Sequence, residues 1–406
     1  MNVQIRHHAS SSERQLPFEC VALVLQGGGA LGAYQAGVYE ALAEAGIHPD
    51  WIAGVSIGAI NAAIIAGNPP NSRVDRLREF WTQVSSGPWS RLGEASFGVA
   101  KGDTARNILN AMSAGFALAS GARDFFAIRP VTPWLQPTGT IEATSFYDTS
   151  DLKRTLERLV DFDRLNAGVT RFSVGAVNVR TGNFLYFDTT TNTIAAEHIM
   201  ASGALPPGFP AVEIEGEYYW DGGLVSNTPL QWLAHGQPRR DTLAFQVDLW
   251  NAHGELPRNV FEVTTREKEI RYSSRTRAGT DQFTHIQEMR YALAGLLEKL
   301  PEDLKNGPEA RLLGTAADRK VYNIIHLIYR AKTYEGHSKD YEFSRLTIDE
   351  HWHCGHVDAE HSLRHPDWVN RDIDPDEIVT FDLAGDRAGG RLKHPLASNS
   401  SNGAAA

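Results

Sequence analysis

Near the start of the chain, short apolar runs alternate with stretches that have the period of a helix. Cys20 to Leu25 predicts a buried strand because the run is short, apolar and followed by glycine. Apolar residues then recur with a helical period from Ala33 to Ala45, and Gly46 marks the end of that helix. Trp51 to Val55 predicts a second strand, and Ile57 to Ala66 a deeply buried helix. The order strand, turn, helix thus occurs twice in succession, which favours a parallel sheet covered by helices.

Residues 85–148 have a different composition, with frequent Gly, Ser, Thr and Pro and few strand signals. This change predicts an insertion, within which Thr104 to Leu118 has the spacing of an amphipathic helix. That helix either packs into the core or covers a cleft as a lid. Its apolar residues are Ile108, Leu109, Met112, Phe116 and Leu118.

Regular patterns resume at Ser150 and continue to about residue 330, after which the chain turns polar. Short helices are predicted at Asp151–Val160, at Ala195–Ala201 and after the Thr228-Pro229 cap. Longer charged, amphipathic stretches are predicted at roughly Glu262–Arg277 and Asp281–Leu300. Strands are predicted at Arg171–Val179, Asn183–Asp188, Thr242–Leu249 and Lys320–Tyr329, with a turn at Thr181-Gly182 between the first two.

Composition and charge narrow the class of protein. The 406 residues can bury a large core, and the formal net charge of -10 argues against a nucleic-acid partner, which would need a basic face. Cys20 and Cys354 are too few for a disulfide framework, so both are expected to be reduced thiols. The N-terminal residues lack the apolar core of a signal peptide, and the apolar run Ile52–Ala66 is too short for a membrane span. These features predict a cytoplasmic protein.

Three consecutive glycines, Gly27, Gly28 and Gly29, follow the first predicted strand. They offer backbone N–H donors with no Cβ in the way, as an oxyanion hole requires. The spacing Gly27-x-Gly29-x-x-Gly32 also fits a dinucleotide-binding turn. That alternative needs an acidic residue at the end of the second strand, whereas Asp50 precedes that strand. An anion cradle is therefore favoured over a nucleotide site.

The second predicted strand ends in Gly54-Val-Ser56-Ile-Gly58, a pattern typical of a nucleophile elbow. A tight strand-to-helix turn would hold the Ser56 hydroxyl at its tip, at the positive end of the following helix. An ordinary turn of small residues at a helix start is the alternative interpretation.

A serine nucleophile needs a base, and Asp221-Gly222-Gly223 is the most suggestive candidate. A free aspartate is a weak base, but a desolvated one in contact with the hydroxyl can accept its proton. An ordinary turn is again the alternative. His198 and His235 lie in the same region without an informative setting.

These motifs, in this order, resemble the patatin-like phospholipase family. That family has a Gly-rich oxyanion loop, then Gly-x-Ser-x-Gly about thirty residues further on, then Asp-Gly-Gly or Asp-Gly-Ala much later. The segment Ala201–Pro210 also resembles the family's Ala-Ser-x-Ala-x-Pro-x-x-Phe-Pro block. The resemblance implies a Ser–Asp dyad without histidine, with Ser56 as nucleophile and Asp221 as base. It carries over Gly27, Gly28 and Gly29 as the oxyanion loop. The other glycines of the motifs are expected to support the turns: Gly32, Gly54, Gly58, Gly222 and Gly223.

One position departs from the family. Many members have Arg or Lys between the loop glycines, where this chain has Leu31. The loop can still donate backbone N–H groups, but a positive charge near the developing oxyanion is missing. The departure bears on rate and head-group preference more than on the type of reaction.

The resemblance implies a three-layer α/β fold with a mainly parallel central sheet and a helical C-terminal extension. The expected divisions are a polar arm (1–19), a catalytic domain (20–250, with the insertion at 85–148), the extension (251–383) and a disordered tail (384–406). The extension resembles one found on a subset of bacterial patatin-like proteins, and the resemblance assigns it no function.

A histidine-rich stretch contains the candidate metal-binding side chains of the extension. His351-Trp-His353-Cys354-Gly-His356, followed by His361 and His365, could bind zinc. Its spacing is not that of a standard zinc module, so a solvated polar surface is the preferred interpretation.

The predicted activity is hydrolysis of carboxylic esters of lipids through an acyl-enzyme. No metal or organic cofactor is expected, and peripheral contact with a membrane is compatible with the prediction. Two other classes stay open, a non-catalytic scaffold and a nucleotide-binding oxidoreductase. The sequence does not identify the acyl donor, because phospholipid, glyceride, thioester and polyester would use the same dyad. It does not indicate the oligomeric state either.

Overall fold

The computed structural model describes residues 16–87, 102–332, 334–365 and 379–381; of residues 104, 274–278 and 379–381 it describes the backbone alone. The predicted arm up to residue 15, residues 88–101 of the insertion and the predicted tail lie outside the described residues.

The helices are α1 (Ala33–Glu44), α2 (Ile57–Ala66), α3 (Arg73–Val84), the insertion helix (Asp103–Ser120), Ser150–Leu159, Phe162–Asn166, Ala196–Ser202, Leu230–His235, the long helix (Val260–Glu298), Glu302–Lys305, Pro308–Ala316 and the C-terminal helix (Arg345–Leu363). Short 3-10 segments span Gly29–Gly32, Pro133–Leu135, Ile141–Thr144 and Gly222–Leu224.

The strands are β1 (Cys20–Leu25), β2 (Trp51–Val55), β3 (Ala127–Ile128), β4 (Tyr147–Asp148), β5 (Arg171–Asn178), β6 (Phe184–Asp188), β7 (Val212–Ile214), β8 (Glu217–Asp221), β9 (Thr242–Asp248), β10 (Tyr322–Ile328) and β11 (Val379–Phe381). In the described part of the chain, nine of them form one sheet in the order β11-β10-β9-β1-β2-β5-β8-β7, with β6 also paired to β5. The strands from β11 to β5 are parallel neighbours, and β6, β7 and β8 pair antiparallel. The α/β fold with a mainly parallel central sheet is thus confirmed.

Most of the predicted elements are present with small shifts at their ends. β5 and β6 form the predicted antiparallel pair around Thr181-Gly182, and β10 occupies the predicted strand Lys320–Tyr329. Helix α2 is buried along its whole length, as its lack of a polar face predicted. The two cysteines are free thiols, also as predicted.

The long helix corrects one expectation, because the two predicted amphipathic stretches are a single helix. One glycine, Gly279, interrupts the pattern, and a glycine lowers helix stability by only about 1 kcal/mol. Burial of Thr280 and Phe283 just after it holds the helix against the rest of the molecule. Packing therefore overrides the local signal for a break.

The C-terminal region joins the central sheet instead of standing apart from it. Strands β10 and β11 extend the sheet beyond β9. The C-terminal helix packs on α1, where the Tyr34 hydroxyl donates to Asp358 at 2.8 Å and Trp352 bonds Glu40. The region after residue 250 thus packs against the first strand–turn–helix unit.

The insertion helix turns small side chains inward and larger ones outward. Ala114 and Ala117 are buried, whereas Ile108, Met112 and Leu118 are each more than 40% exposed. Core packing therefore accounts for only part of its apolar surface. No helix in the described ranges is both long enough and apolar enough to cross a membrane.

Candidate active site

Ser56 lies at the turn between β2 and α2, with φ of 56° and ψ of -125°. This positive φ is rare for a residue with a side chain and indicates a strained turn. The turn needs glycine on both sides, because a Cβ at Gly54 would lie 2.4 Å from the Gly58 carbonyl oxygen and one at Gly58 2.3 Å from that of Leu25. The sequence Gly-x-Ser-x-Gly therefore folds into the predicted elbow and leaves Ser56 half-buried.

The register of β5 brings Asp221 to this turn. Strand β2 ends with Val55 opposite Gly175, and β8 ends with Asp221 opposite Ala176, the next residue of β5. Since β6 occupies the other edge of β5 at Ala176, β2 and β8 share one edge and meet end to end. The residue after β2 and the last residue of β8 therefore become neighbours.

The Asp221 carboxylate is 3% exposed and forms a side-chain hydrogen bond with Ser56. Its Oδ1 also accepts the Gly223 N–H at 2.7 Å. Burial raises the pKa of Asp221 from its ordinary 3.8 to about 7, although the bonds from Ser56 and Gly223 pull it down. An aspartate with such a pKa is a far better base near neutral pH than an exposed one.

The glycine-rich loop after β1 lies beside Ser56. A Cβ built at Gly27 would be 3.0 Å from Ser56 Cβ. The N–H of Gly27 donates to the Asn227 carbonyl at 3.3 Å, so it is already engaged. Among the described residues, the N–H groups of Gly28 and Gly29 have no protein acceptor. Two of the three predicted donors therefore remain available for an oxyanion.

Side chains far along the chain hold this loop in place. Gln26 is fully buried, and its Oε1 accepts the N–H groups of Leu249 and Trp250 at 2.6 and 3.0 Å. The Asn227 amide donates to the Gly27 carbonyl at 3.0 Å, and Trp250 Nε1 donates to the same oxygen at 2.9 Å. Sequence reasoning missed these partners, and no local pattern marks Asn227 or Trp250.

Ser202 is a further residue that sequence reasoning did not single out. Its Oγ accepts the Ser56 N–H at 2.9 Å and donates to the Gly175 carbonyl at 2.6 Å. It ties the elbow to β5 next to the point where Asp221 arrives. Its place in the Ala201–Pro210 block, which carried part of the resemblance, was the available signal.

The remaining glycines of the motifs are packing positions. Gly32 lies against Ile57 and Trp81, since a Cβ there would be 2.5 Å from Ile57 Cγ1 and 3.0 Å from the Trp81 ring. Gly222 follows Asp221 and approaches the Gly175 carbonyl, which a Cβ would meet at 2.6 Å. Both keep the two turns close to their neighbours.

The contacts of the other sequence candidates are with residues other than Ser56 and Asp221. Leu31 is buried in the core. His198 Nδ1 accepts the Ala195 N–H at 3.0 Å, and burial lowers its pKa. His235 is exposed and bonds the carbonyl of its own helix at Gln231. Asp50 lies at the amino end of β2 and accepts the Val21 N–H at 2.8 Å, at the wrong end of the sheet for a dinucleotide ribose.

The histidine-rich stretch forms part of the C-terminal helix. His351 is buried, with its Nε2 3.5 Å from Glu335, and His356 bonds Glu44 at 2.8 Å. The described residues contain no group of three or more His, Cys, Asp or Glu placed to hold a metal ion. Part of this stretch therefore packs against the core instead of forming the solvated surface that we expected.

An elbow serine, a buried carboxylate and a loop of free N–H groups define a candidate site for acyl transfer. A model of the family described as "Patatin-like phospholipase" matches residues 23–234, more than half of the chain. A second model, described as "Patatin phospholipase", matches residues 270–374. The chain belongs to the patatin-like phospholipase family.

Curated relatives share short stretches with the chain. Lysophospholipase nte1 of Aspergillus terreus is 57% identical over 53 residues, which are 13% of this chain and 4% of that protein. Patatin-like phospholipase domain-containing protein 7 of Rattus norvegicus is 43% identical over 70 residues, 17% of this chain and 5% of that one. The chain thus spans only a small part of each relative.

Among solved structures, VipD from Legionella pneumophila aligns with 90% of this chain and 72% of its own, at 17% identity and a TM-score of 0.38. A TM-score this low supports no conclusion about function.

Proposed function

We propose that this protein is a serine lipid acyl hydrolase that cleaves carboxylic esters through a Ser56–Asp221 dyad. The observation that carries the proposal is the hydrogen bond between Ser56 and a buried Asp221, beside two N–H groups that have no acceptor in the described part of the chain. Family membership supports the same class of reaction. The relatives named for phospholipase or lysophospholipase activity make a phospholipid the first substrate to test.

In the proposed reaction, Asp221 accepts the proton of Ser56 Oγ as that oxygen attacks the ester carbonyl carbon. The N–H groups of Gly28 and Gly29 stabilise the oxyanion. When the tetrahedral intermediate collapses, the C–O bond to the alcohol breaks, and the alcohol takes the proton from Asp221. Water then attacks the acyl-enzyme and gives a proton to Asp221. Collapse releases the fatty acid, and the proton returns to Ser56.

Exposed apolar residues support a lipid substrate and peripheral contact with a membrane. In the insertion, Trp134 and Leu135 are 79% and 78% exposed within one 3-10 turn. Trp134 packs on Phe146, whose N–H donates to the Pro207 carbonyl in the loop that follows Ser202. We include in the proposal that this insertion is the lipid-facing element of the catalytic domain and that the protein acts in the cytoplasm.

The test measures hydrolysis of a chromogenic acyl ester and of a lipid panel analysed by mass spectrometry. Ser56→Ala and Asp221→Asn should each lower turnover by at least about a thousandfold, as removal of a nucleophile or its base does elsewhere. Ser226→Ala is the matched control, because within the described ranges its hydroxyl forms one hydrogen bond, to the nearby Thr228 carbonyl at 3.4 Å. It should retain near-full turnover.

A fluorophosphonate separates the enzyme from the alternatives. Labelling of Ser56 in the native protein, lost in Ser56→Ala, supports the dyad. Full turnover in Ser56→Ala or Asp221→Asn would refute it. A folded protein that neither turns over esters nor reacts at Ser56 would favour the non-catalytic scaffold, and a melting temperature raised by NAD or NADP would favour the nucleotide-binding alternative.

A further inference from the structure

The segment before the C-terminal helix touches the candidate oxyanion loop directly. The Asp340 carbonyl accepts the Ala30 N–H at 2.8 Å. Gly29 has a φ of 56°, and a Cβ there would lie 2.0 Å from the same carbonyl oxygen. The backbone at Asp340 therefore restricts the conformation of the loop at Gly29 and Ala30.

A side-chain pair fixes Asp340 in turn. Lys268 on the long helix places its Nζ 2.7 and 2.8 Å from the two carboxylate oxygens of Asp340. The same Nζ donates to the His337 carbonyl at 3.2 Å. Both side chains are mostly shielded from solvent, so the pair is less weakened by water than an exposed one.

The carbonyl of Ala30, which belongs to the next peptide group, meets a buried cluster. His351 Nδ1 lies 3.4 Å from the Ala30 carbonyl oxygen, and its Nε2 lies 3.5 Å from Glu335. The Tyr329 hydroxyl donates to Glu335 at 2.6 Å. Ala30, the residue after the loop glycines, is thus held at its N–H by Asp340 and at its carbonyl by His351.

We infer that the Lys268–Asp340 ion pair positions the oxyanion donors Gly28 and Gly29, which makes the C-terminal region a working part of the active site. This inference rests on the proposed function. Donors stabilise a developing oxyanion only if they are held at the right place before the reaction, and small displacements are costly. Lys268 and Asp340 are positioning residues in this scheme, since they act through the Ala30 peptide.

The test compares Lys268→Met with Lys320→Met. Lys320 also pairs with a carboxylate at 2.7 Å, but with Glu19 at the amino end of β1, away from the loop. In Lys268→Met, kcat per fluorophosphonate-titratable site should fall about 10- to 100-fold while KM changes less than about threefold. The backbone amides of residues 26–32 should also exchange hydrogen faster. Lys320→Met should change neither quantity.

Further variants keep the inference open to refutation. Lys268→Arg should restore most of the activity, and Asp340→Asn should reproduce the loss if Lys268→Met fails to fold. Unchanged kcat per titrated site in both Lys268→Met and Asp340→Asn overturns the inference, even if their melting temperatures fall. If the unaltered protein neither hydrolyses esters nor labels at Ser56, the proposed function has failed, and this inference fails with it.

Discussion

The two strand–turn–helix units at the start of the chain have similar sequences and different means of support. In the second unit, Gly54 and Gly58 close the elbow against nearby backbone, and two long-range bonds join Ser56 to Ser202 and to Asp221. In the first unit, the turn is held by groups about 200 or more residues away, among them Asn227 and Asp340. One turn is largely self-supporting, and the other depends on the tertiary structure.

The difference matches what each turn is proposed to do. A nucleophile needs a fixed position, and a tight turn with a strained φ can fix the position of its side chain without distant contacts. Oxyanion donors have to point away from their own chain, so their N–H groups cannot be used to close the turn. Carbonyl and side-chain partners from elsewhere must then hold the loop by its other groups. Four predictions probe this difference, and the three that concern activity are given in order of decreasing effect.

Gly29→Ala should damage the first turn most, with a loss of at least about 100-fold in kcat, because the new Cβ would clash with the Asp340 carbonyl and move the donors. Gly168→Ala is the control, since Gly168 also has a positive φ of 71° but nothing within 4 Å of an added Cβ. The control should lose about 1 kcal/mol of stability and no activity. Equal losses of activity in the two variants would contradict an externally held loop. Steady-state kinetics and thermal unfolding give both readouts.

The pH profile probes Asp221, the proposed base for Ser56 at the second turn. Asp221 must be ionised to accept the Ser56 proton, and its pKa is about 7. We expect kcat/KM to be constant above that pH and to fall about tenfold per unit below it, reaching about one hundredth at pH 5. A profile that stays flat down to pH 5 would show that Asp221 is not the base.

Asp221→Asn should stabilise the fold more at high pH than at low pH. The folded pKa of about 7 lies above the ordinary 3.8, so the native protein loses stability as pH rises from about 4 to 7. The variant lacks this loss, and its advantage should approach about 4 kcal/mol at pH 8 and nearly vanish at pH 4. Denaturant unfolding at the two pH values measures it. An advantage independent of pH would contradict the raised pKa.

Ser202→Ala should have the smallest effect, about fivefold in kcat, because the elbow loses one hydrogen bond worth about 1 kcal/mol. Ser85→Ala is the control, since this buried hydroxyl, just after the end of α3, bonds the Trp81 carbonyl in the last turn of that helix at 2.7 Å. The control should lose similar stability and keep its activity. A loss for Ser202→Ala as large as that for Gly29→Ala would mean that the elbow is not self-supporting.

Much of the fold was predictable where apolar periodicity is strong. The pattern predicted β1, α1, β2 and α2 within a residue or two. It did not predict the C-terminal helix, because that helix buries Thr347, His351 and Ser362, whose polar side chains hide the apolar stripe. For the same reason, nothing in the sequence indicated that His351 is buried, and the histidines of this helix were expected to form a solvated surface.

Some residues of the candidate site could likewise be predicted from the sequence, and others could not. Ser56 and the loop glycines could be named from local motifs, and their catalytic roles stay a prediction. Asp221 could be suggested from its Asp-Gly-Gly turn, but only the order of motifs favoured it over an ordinary turn. The contacts of Asn227, Ser202 and Lys268 could not be predicted from sequence, because their hydrogen-bond partners are set by strand register and helix packing. Only Ser202 had a sequence signal, its place in the Ala201–Pro210 block.

The amino-acid sequence by itself determined the two turns, the parallel sheet and the serine at the elbow, because these depend on glycine sterics and on apolar spacing within short segments. The tertiary structure alone decided that Asp221 meets Ser56, through consecutive positions on β5. It also decided that Asp340 and its neighbours hold the glycine loop. Such contacts join residues that no local pattern relates, since they form only when the strands and helices have packed.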